Sequence, residues 1–273
     1  MRTDLRPLST GELLDKVFSL YRNNFLVFAG IAAIANVVAL VLQVLTDLTN
    51  GRDNDLAFGG GLILTSLITV AGGLIASAIA EAGTVYAVST IYLGGVTSIA
   101  GALRKVAGKA GRIFLINFAV GLLVGLGSLL FLLPGLYALA SYALAIPAAV
   151  LEDLTVSDAL ARSSKLSEGS RMKILLIYIL VLILVVSVSA ALGLVEQQVF
   201  SLSSALGSTL ANLLNAILQF AIDTLVFPLL TIALVLVYYD QRVRKEAFDL
   251  QRLMEAMGEA PPASAMGAGG PIG

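Results

Sequence analysis

The chain contains no cysteine, no histidine and no tryptophan. Without a thiol or an imidazole it forms no disulfide, offers no soft or nitrogen ligand to a transition metal, and lacks the residues that most acid–base and nucleophilic enzymes use. Neither an enzyme activity, a cofactor nor a metal site is therefore expected. Charge is scarce as well: Asp, Glu, Lys and Arg make up 13% of 273 residues, against about a quarter in a soluble domain. With a net charge of −1 there is no overall basic field for nucleic acid, and charge has to be read cluster by cluster.

What takes the place of charge is apolar surface. Hydrophobic residues are 58% of the chain and the mean hydropathy is +0.93, and the apolar residues fall in runs of membrane-spanning length. Six spans are read at about 25–46, 62–93, 113–133, 136–151, 174–194 and 210–239, giving an all-α polytopic protein whose first partner is the lipid bilayer. The second run is too long for one perpendicular crossing, so it bends, with Gly72-Gly73 as the natural weak point, or it protrudes. Gly121 and Gly125 in the third span have the spacing that lets backbones approach. Pro134-Gly135 reads as a tight turn, and Pro147 breaks the short fourth span. Asn36 in the first span marks a helix–helix contact. The acidic N-terminal segment, with Asp4, Glu12 and Asp15, is retained and is not a cleaved signal.

The segment from Glu152 to Lys173 opens with Thr155 and Asp158 at capping-box spacing, then alternates apolar Ala159, Leu160 and Leu166 with cationic Arg162, Lys165, Arg171 and Lys173. This is an amphipathic entry helix expected to lie along the inner leaflet. Leu154, Thr155, Asp158, Leu160, Arg162 and Leu166 recur in register as Leu8, Ser9, Glu12, Leu14, Lys16 and Leu20. A weaker copy places Ser98, Leu103, Lys105 and Phe114 on Ser9, Leu14, Lys16 and Phe25, with Gly101 where the acidic capping partner would be. The candidate architecture is three parallel repeats, each an entry helix and two spans, around an approximate threefold axis along the membrane normal.

All but one of the 17 lysines and arginines fall in four clusters: before the first span, at Arg104–Arg112, at Arg162–Lys173, and after Tyr239. The exception is Arg52. The positive-inside rule then puts both termini in the cytoplasm of a multi-pass cell-membrane protein. Residues 1–257 form the membrane domain, with a cytoplasmic helix at 240–257, and 258–273 form a tail disordered by composition. Val243, Ala247, Leu250, Met254 and Met257 line one face of that helix. The membrane surface, the entry helices or a partner protein could cover it.

Arg6-Pro-Leu-Ser-Thr-Gly-Glu-Leu-Leu-Asp15, the stretch from Pro147 through Glu152 to Ser163 and Gly169, and Tyr238-Tyr-Asp-Gln-Arg-Val-Arg-Lys-Glu-Ala-Phe-Asp249 resemble the membrane domain carried by some bacterial glycerophosphoryl diester phosphodiesterases. The resemblance implies a six-span membrane domain and no activity. The phosphodiesterase chemistry of that family sits in a separate soluble barrel with histidines and acidic metal ligands, which this chain lacks.

Two functions fit these readings. One is a scaffold or regulatory membrane domain that recruits a partner through its cytoplasmic helices. The alternative is a transporter or lipid-handling protein built on intramembrane acids. Glu81 is the one charge in the second span, and Asn212, Asn215, Gln219 and Asp223 form a polar stripe on the sixth, which Asp223 and Pro228 interrupt and where Pro228 frees a backbone carbonyl. Two readings of these groups stand side by side: the stripe hydrogen-bonds neighbouring helices as packing, or Glu81 and Asp223, at a similar depth, line one hydrated cavity that binds a cation or a polar headgroup. The topology has a direct test: cysteines at Ser163 and Ser264 should be protected from an impermeant thiol reagent in intact cells, and one at Asn54 should label. Labelling at Ser163 would overturn the arrangement.

Overall fold

In a computed structural model the chain is described over residues 9–50, 60–201 and 208–258. The elements are α1 (Thr10–Asn23), α2 (Phe25–Asn50), α3 (Gly60–Tyr92), α4 (Ile99–Val106), a 3-10 turn (Ala107–Lys109) leading into α5 (Ala110–Leu130), α6 (Leu132–Tyr142), α7 (Ala145–Leu151), α8 (Val156–Ser167), α9 (Arg171–Ser201) and α10 (Ser208–Gly258). Among the described residues six segments are long and apolar enough to cross a membrane, from Phe25–Leu42 to Ala216–Glu246. They match the six spans in number and order. Asn54 and its polar turn, the link at 202–207 and the tail with Ser264 lie outside the described residues, as do the seam side chains from Ala247 onward.

Each entry helix starts on a hydroxyl. Ser9, Ser98 and Thr155 accept the N–H of Glu12, Gly101 and Asp158 respectively, satisfying one of the free donors of a helix N-terminus. The reciprocal half of the capping box exists only in α1, where Ser9 N–H donates to Glu12 Oε2 at 2.9 Å. In α8 the shorter Asp158 side chain instead accepts from the Thr155 hydroxyl at 2.6 Å, so the box expected there is half made.

The packing is cyclic. Each entry helix lies on the second span of the preceding unit: α4 on α3, α8 on α6 and α7, and α1 on α10, which closes the ring. Within each unit the two spans pack together as α2 with α3, α5 with α6, and α9 with α10. Across units the second span meets the next first span, as α3 with α5, α6 with α9, and α10 with α2. Each first span also opens with two fully buried residues three apart: Phe28 and Ile31, Ile113 and Ile116, Ile174 and Ile177. The second spans are consequently the more buried, while the first spans expose apolar flanks such as Val41, Leu126 and Ile183. Such flanks suit acyl chains.

The entry helices do not spend their apolar sides on lipid. Leu13, Val17 and Leu20 of α1, Ala102 and Val106 of α4, and Ala159 and Leu166 of α8 are all buried. The bundle itself supplies the partner that the inner leaflet was expected to provide.

Three breaker positions differ from the sequence reading. Pro134 and Gly135 do not make the turn; extended Phe131 does, and Pro134 sits in the first turn of α6, where its missing N–H costs nothing. The close approach in this hairpin belongs to Gly127 and Gly135, since a Cβ on Gly135 would lie 2.9 Å from Ser128 Cα, whereas Gly121 and Gly125 face open space. Gly72-Gly73 does not break α3, and Gly72 instead makes room for Leu42. At the third position α10 runs through Pro228 and past Tyr239 as one helix. Tyr21 donates to the carbonyl of Leu225 at 2.7 Å beside that proline. Asn36 makes its expected interhelical contact, donating to Thr224 Oγ1 at 3.1 Å.

Pro147 does break the fourth span, one turn ahead of itself. Its ring excludes the carbonyl of Ala143, and the chain opens between α6 and α7. Ser163 of α8 fills the gap: its hydroxyl accepts Leu144 N–H at 3.1 Å and donates to the Ser141 carbonyl at 2.8 Å. A fully buried Ser163 would shield a cysteine from reagent on either side of the membrane, so exposed Ala161 is the position that reports topology.

The cationic clusters gather at one end of the bundle, tied by charge. Arg162 donates through Nε to both oxygens of Glu152 at 3.0 Å and also pairs with Glu246. Arg242 bonds Glu246 and Tyr238, and Tyr238 donates back to Glu152 at 2.5 Å, closing a ring of five side chains. Beside it the fully buried Asp240 carboxylate is held by Lys173 at 2.6 Å and Arg244 at 3.1 Å. Asp153, in the left-handed conformation at φ 55°, accepts from Arg112 and Lys109, which hold its carboxyl down to about 2.

Ser163→Ala strands the Leu144 donor in the broken span. It should cost about 1–3 kcal/mol, read as a lower apparent melting temperature in detergent, while Ser164→Ala should stay within about 0.5 kcal/mol of the parent. Equal melting of the two variants would show that Leu144 has another acceptor.

Candidate functional site

The seam between α3 and α5, where the first unit meets the second, is not filled. A cavity of about 480 Å³ opens there, lined by Leu74, Ser77 and Glu81 of α3, by Phe114, Asn117, Phe118, Gly121 and Leu122 of α5, and by Phe227 of α10. Its volume lies within the ~300–1,000 Å³ range of ligand sites. The rim is exposed on the flank of the bundle, with Phe118 58% and Leu122 50% accessible. The opening is therefore sideways, toward the acyl chains of a surrounding bilayer.

Glu81 is the only charged group in the lining. It lies about 16 Å of helix from Tyr92 at the end of α3, well inside the apolar segment Ser66–Tyr92. Asn117 Nδ2 donates to its Oε2 at 2.9 Å. The Ser77 hydroxyl is spent on the carbonyl of Leu74 at 2.9 Å. A carboxylate facing an apolar space, with one amide donor and no lysine or arginine in the lining, is a site that lacks its counter-charge.

The other acid of the sequence reading is not in the cavity. Asp223 is exposed, accepts from Gln219 Nε2 on its own helix at 3.0 Å, and does not join Glu81. It sits one helical turn from Phe227 on the same face, about 6 Å along the axis toward the other end. The shared cavity expected for the two acids is thus corrected: the space that Glu81 lines does not include Asp223, whose carboxylate bonds an i, i+4 amide on its own helix instead. The side chains of Asn212 and Asn215 lie outside the described residues. No family model, curated protein or solved structure matches the chain. The site has to be read from its own geometry.

Sequence reasoning passed over Asn117 and the three phenylalanines. A signal for Asn117 was present, since it is the lone amide in the apolar run 113–133. Phe114 and Phe118 stand four apart on one helical face, and their rings stack with centroids 6.3 Å apart. Nothing in the sequence relates Phe227 to them. Its position follows from the cyclic packing, which brings α10 against α3.

Proposed function

We propose that this chain is a membrane protein that takes an apolar or amphipathic ligand out of the bilayer into the side-opening cavity between α3 and α5, a lipid-handling or transport role. The observation that carries the reading is the lateral cavity itself, apolar at its exposed rim and polar at Glu81 and Asn117. A ligand entering from lipid loses no favourable solvation for its apolar part and gains a hydrogen-bonding partner at the floor. The site binds and does not catalyse on this reading, because one amide-bonded carboxylate without a base, nucleophile or second acid offers no acid–base pair. The location proposed is the cell membrane with both termini in the cytoplasm, where the gathered cationic end faces the inner leaflet.

A scaffold or regulatory role is the second reading. It is favoured by α10, which continues as one helix to Gly258, beyond Glu246 and its pairs with Arg162 and Arg242. Against it, the apolar sides of α1, α4 and α8 are already buried within the chain and cannot also recruit a partner. The likeness to the phosphodiesterase membrane domain is consistent with either role.

Gly121 lines the cavity with open space at its Cβ position, so Gly121→Phe fills the cavity without a backbone clash. In nanodiscs containing a phospholipid with a diazirine in its acyl chain, peptides bearing Ser77 and Glu81 should be photolabelled. Gly121→Phe should reduce that labelling several-fold while leaving labels on lipid-facing Leu126 unchanged. Floor labelling that is absent, or indifferent to Gly121→Phe, would remove the cavity from consideration.

A further inference from the structure

The chemistry of the cavity narrows its ligand further. Glu81 offers a carboxylate whose one donor among the described residues is Asn117, and three phenyl rings, of Phe114, Phe118 and Phe227, share the lining with it. A negative group and several phenyl rings around one space are the two features that recognise an organic cation: the carboxylate supplies the opposite charge, and a phenyl ring attracts a cation placed over its face within about 6 Å. A bare metal ion is a poor match, because hard cations take six or more oxygens and this lining supplies few. An anion would meet Glu81 directly.

We propose that the cavity is a binding site for a lipophilic organic cation, an ammonium or phosphonium centre carrying apolar substituents, with Glu81 as its counter-charge and Phe114, Phe118 and Phe227 as its cage. Asn117 is the positioning residue, since its amide holds Oε2 and leaves Oε1 for the ligand. The depth of Glu81 favours a cation whose substituents are themselves apolar, because a strongly hydrated head would have to be dehydrated to reach it. This inference rests on the cavity being a ligand site, as proposed above.

Tetraphenylphosphonium and tetraphenylborate have the same four-phenyl shape and opposite charge, so their comparison isolates the charge. In equilibrium dialysis against the purified full chain in dodecylmaltoside, tetraphenylphosphonium should saturate one site and tetraphenylborate should bind at least tenfold more weakly. Glu81→Gln should weaken the phosphonium at least tenfold, and Phe118→Leu, which keeps bulk and removes the ring, several-fold. If Glu81→Gln does not fold, the comparison of the two ions on the parent chain and Phe118→Leu still decide. Saturable binding of both ions with equal affinity, abolished by Gly121→Phe, would overturn the cation inference and leave the cavity reading standing. No saturable binding of either ion would also overturn the cation inference, and photolabelling unchanged in Gly121→Phe would remove the cavity reading with it. Competition by dodecylphosphocholine, which carries a quaternary ammonium, would place the natural cation in a lipid headgroup. Its failure to compete with bound phosphonium would point to a free lipophilic cation. Either result sustains the proposal.

Discussion

The structure depends on each entry helix being gripped by the second span of the unit before it. An amphipathic helix beside a membrane has two places to put its apolar side, the lipid interface or protein. Here the protein takes it: Leu13 and Val17 of α1, Ala102 of α4 and Ala159 of α8 are buried against neighbouring spans. Because α1 closes on α10, a chain of consecutive hairpins becomes a ring with the second spans toward the middle. Polar groups fasten the ring at one end. The Ser163 hydroxyl bonds two backbone groups of the broken fourth span, the Leu144 N–H and the Ser141 carbonyl. That fixes α8, and with it Arg162, which reaches Glu152 on one side and Glu246 on α10 on the other.

These fastenings matter because hydrocarbon gives helices little reason to associate through hydrophobicity alone. Lipid tails are as apolar as leucine, so close packing, hydrogen bonds and paired charges carry the specificity. The Asn36–Thr224 bond seals α2 to α10, and the Gly127–Gly135 approach seals α5 to α6. Where α3 meets α5 the same kind of polar contact exists, Asn117 with Glu81, but small Gly121 leaves the seam open to the flank. The cavity is thus a consequence of the ring: it occupies one inter-unit seam, and its far wall, Phe227, comes from the unit that closes the circle.

Much of this was legible in the sequence. Span number, order and approximate limits follow from apolar length, and the three entry helices from the hydroxyl caps at Ser9, Ser98 and Thr155. What the sequence could not show depends on faces. A span that is apolar all round carries no amphipathic signal to say which side meets protein, so Gly121 and Gly125 looked like the close-packing pair and Gly127 and Gly135 did not. The same blindness paired Glu81 with Asp223, two acids in apolar runs, when the partner of Glu81 was the unremarked Asn117 and that of Asp223 was its neighbour Gln219. The ring of Glu152, Arg162, Glu246, Arg242 and Tyr238 joins residues far apart in sequence. Local patterning identifies its members as polar residues flanking the spans and cannot say that they meet.

The ring leaves a lateral, ligand-sized opening at Glu81 in the seam between α3 and α5. A density map of the full chain in lipid nanodiscs tests it most directly. The account predicts an elongated non-protein density entering between α3 and α5, in contact with Phe118 and ending at Glu81. A map in which α3 and α5 close on each other, with the Phe118 ring turned in to fill the space beside Asn117, would contradict it.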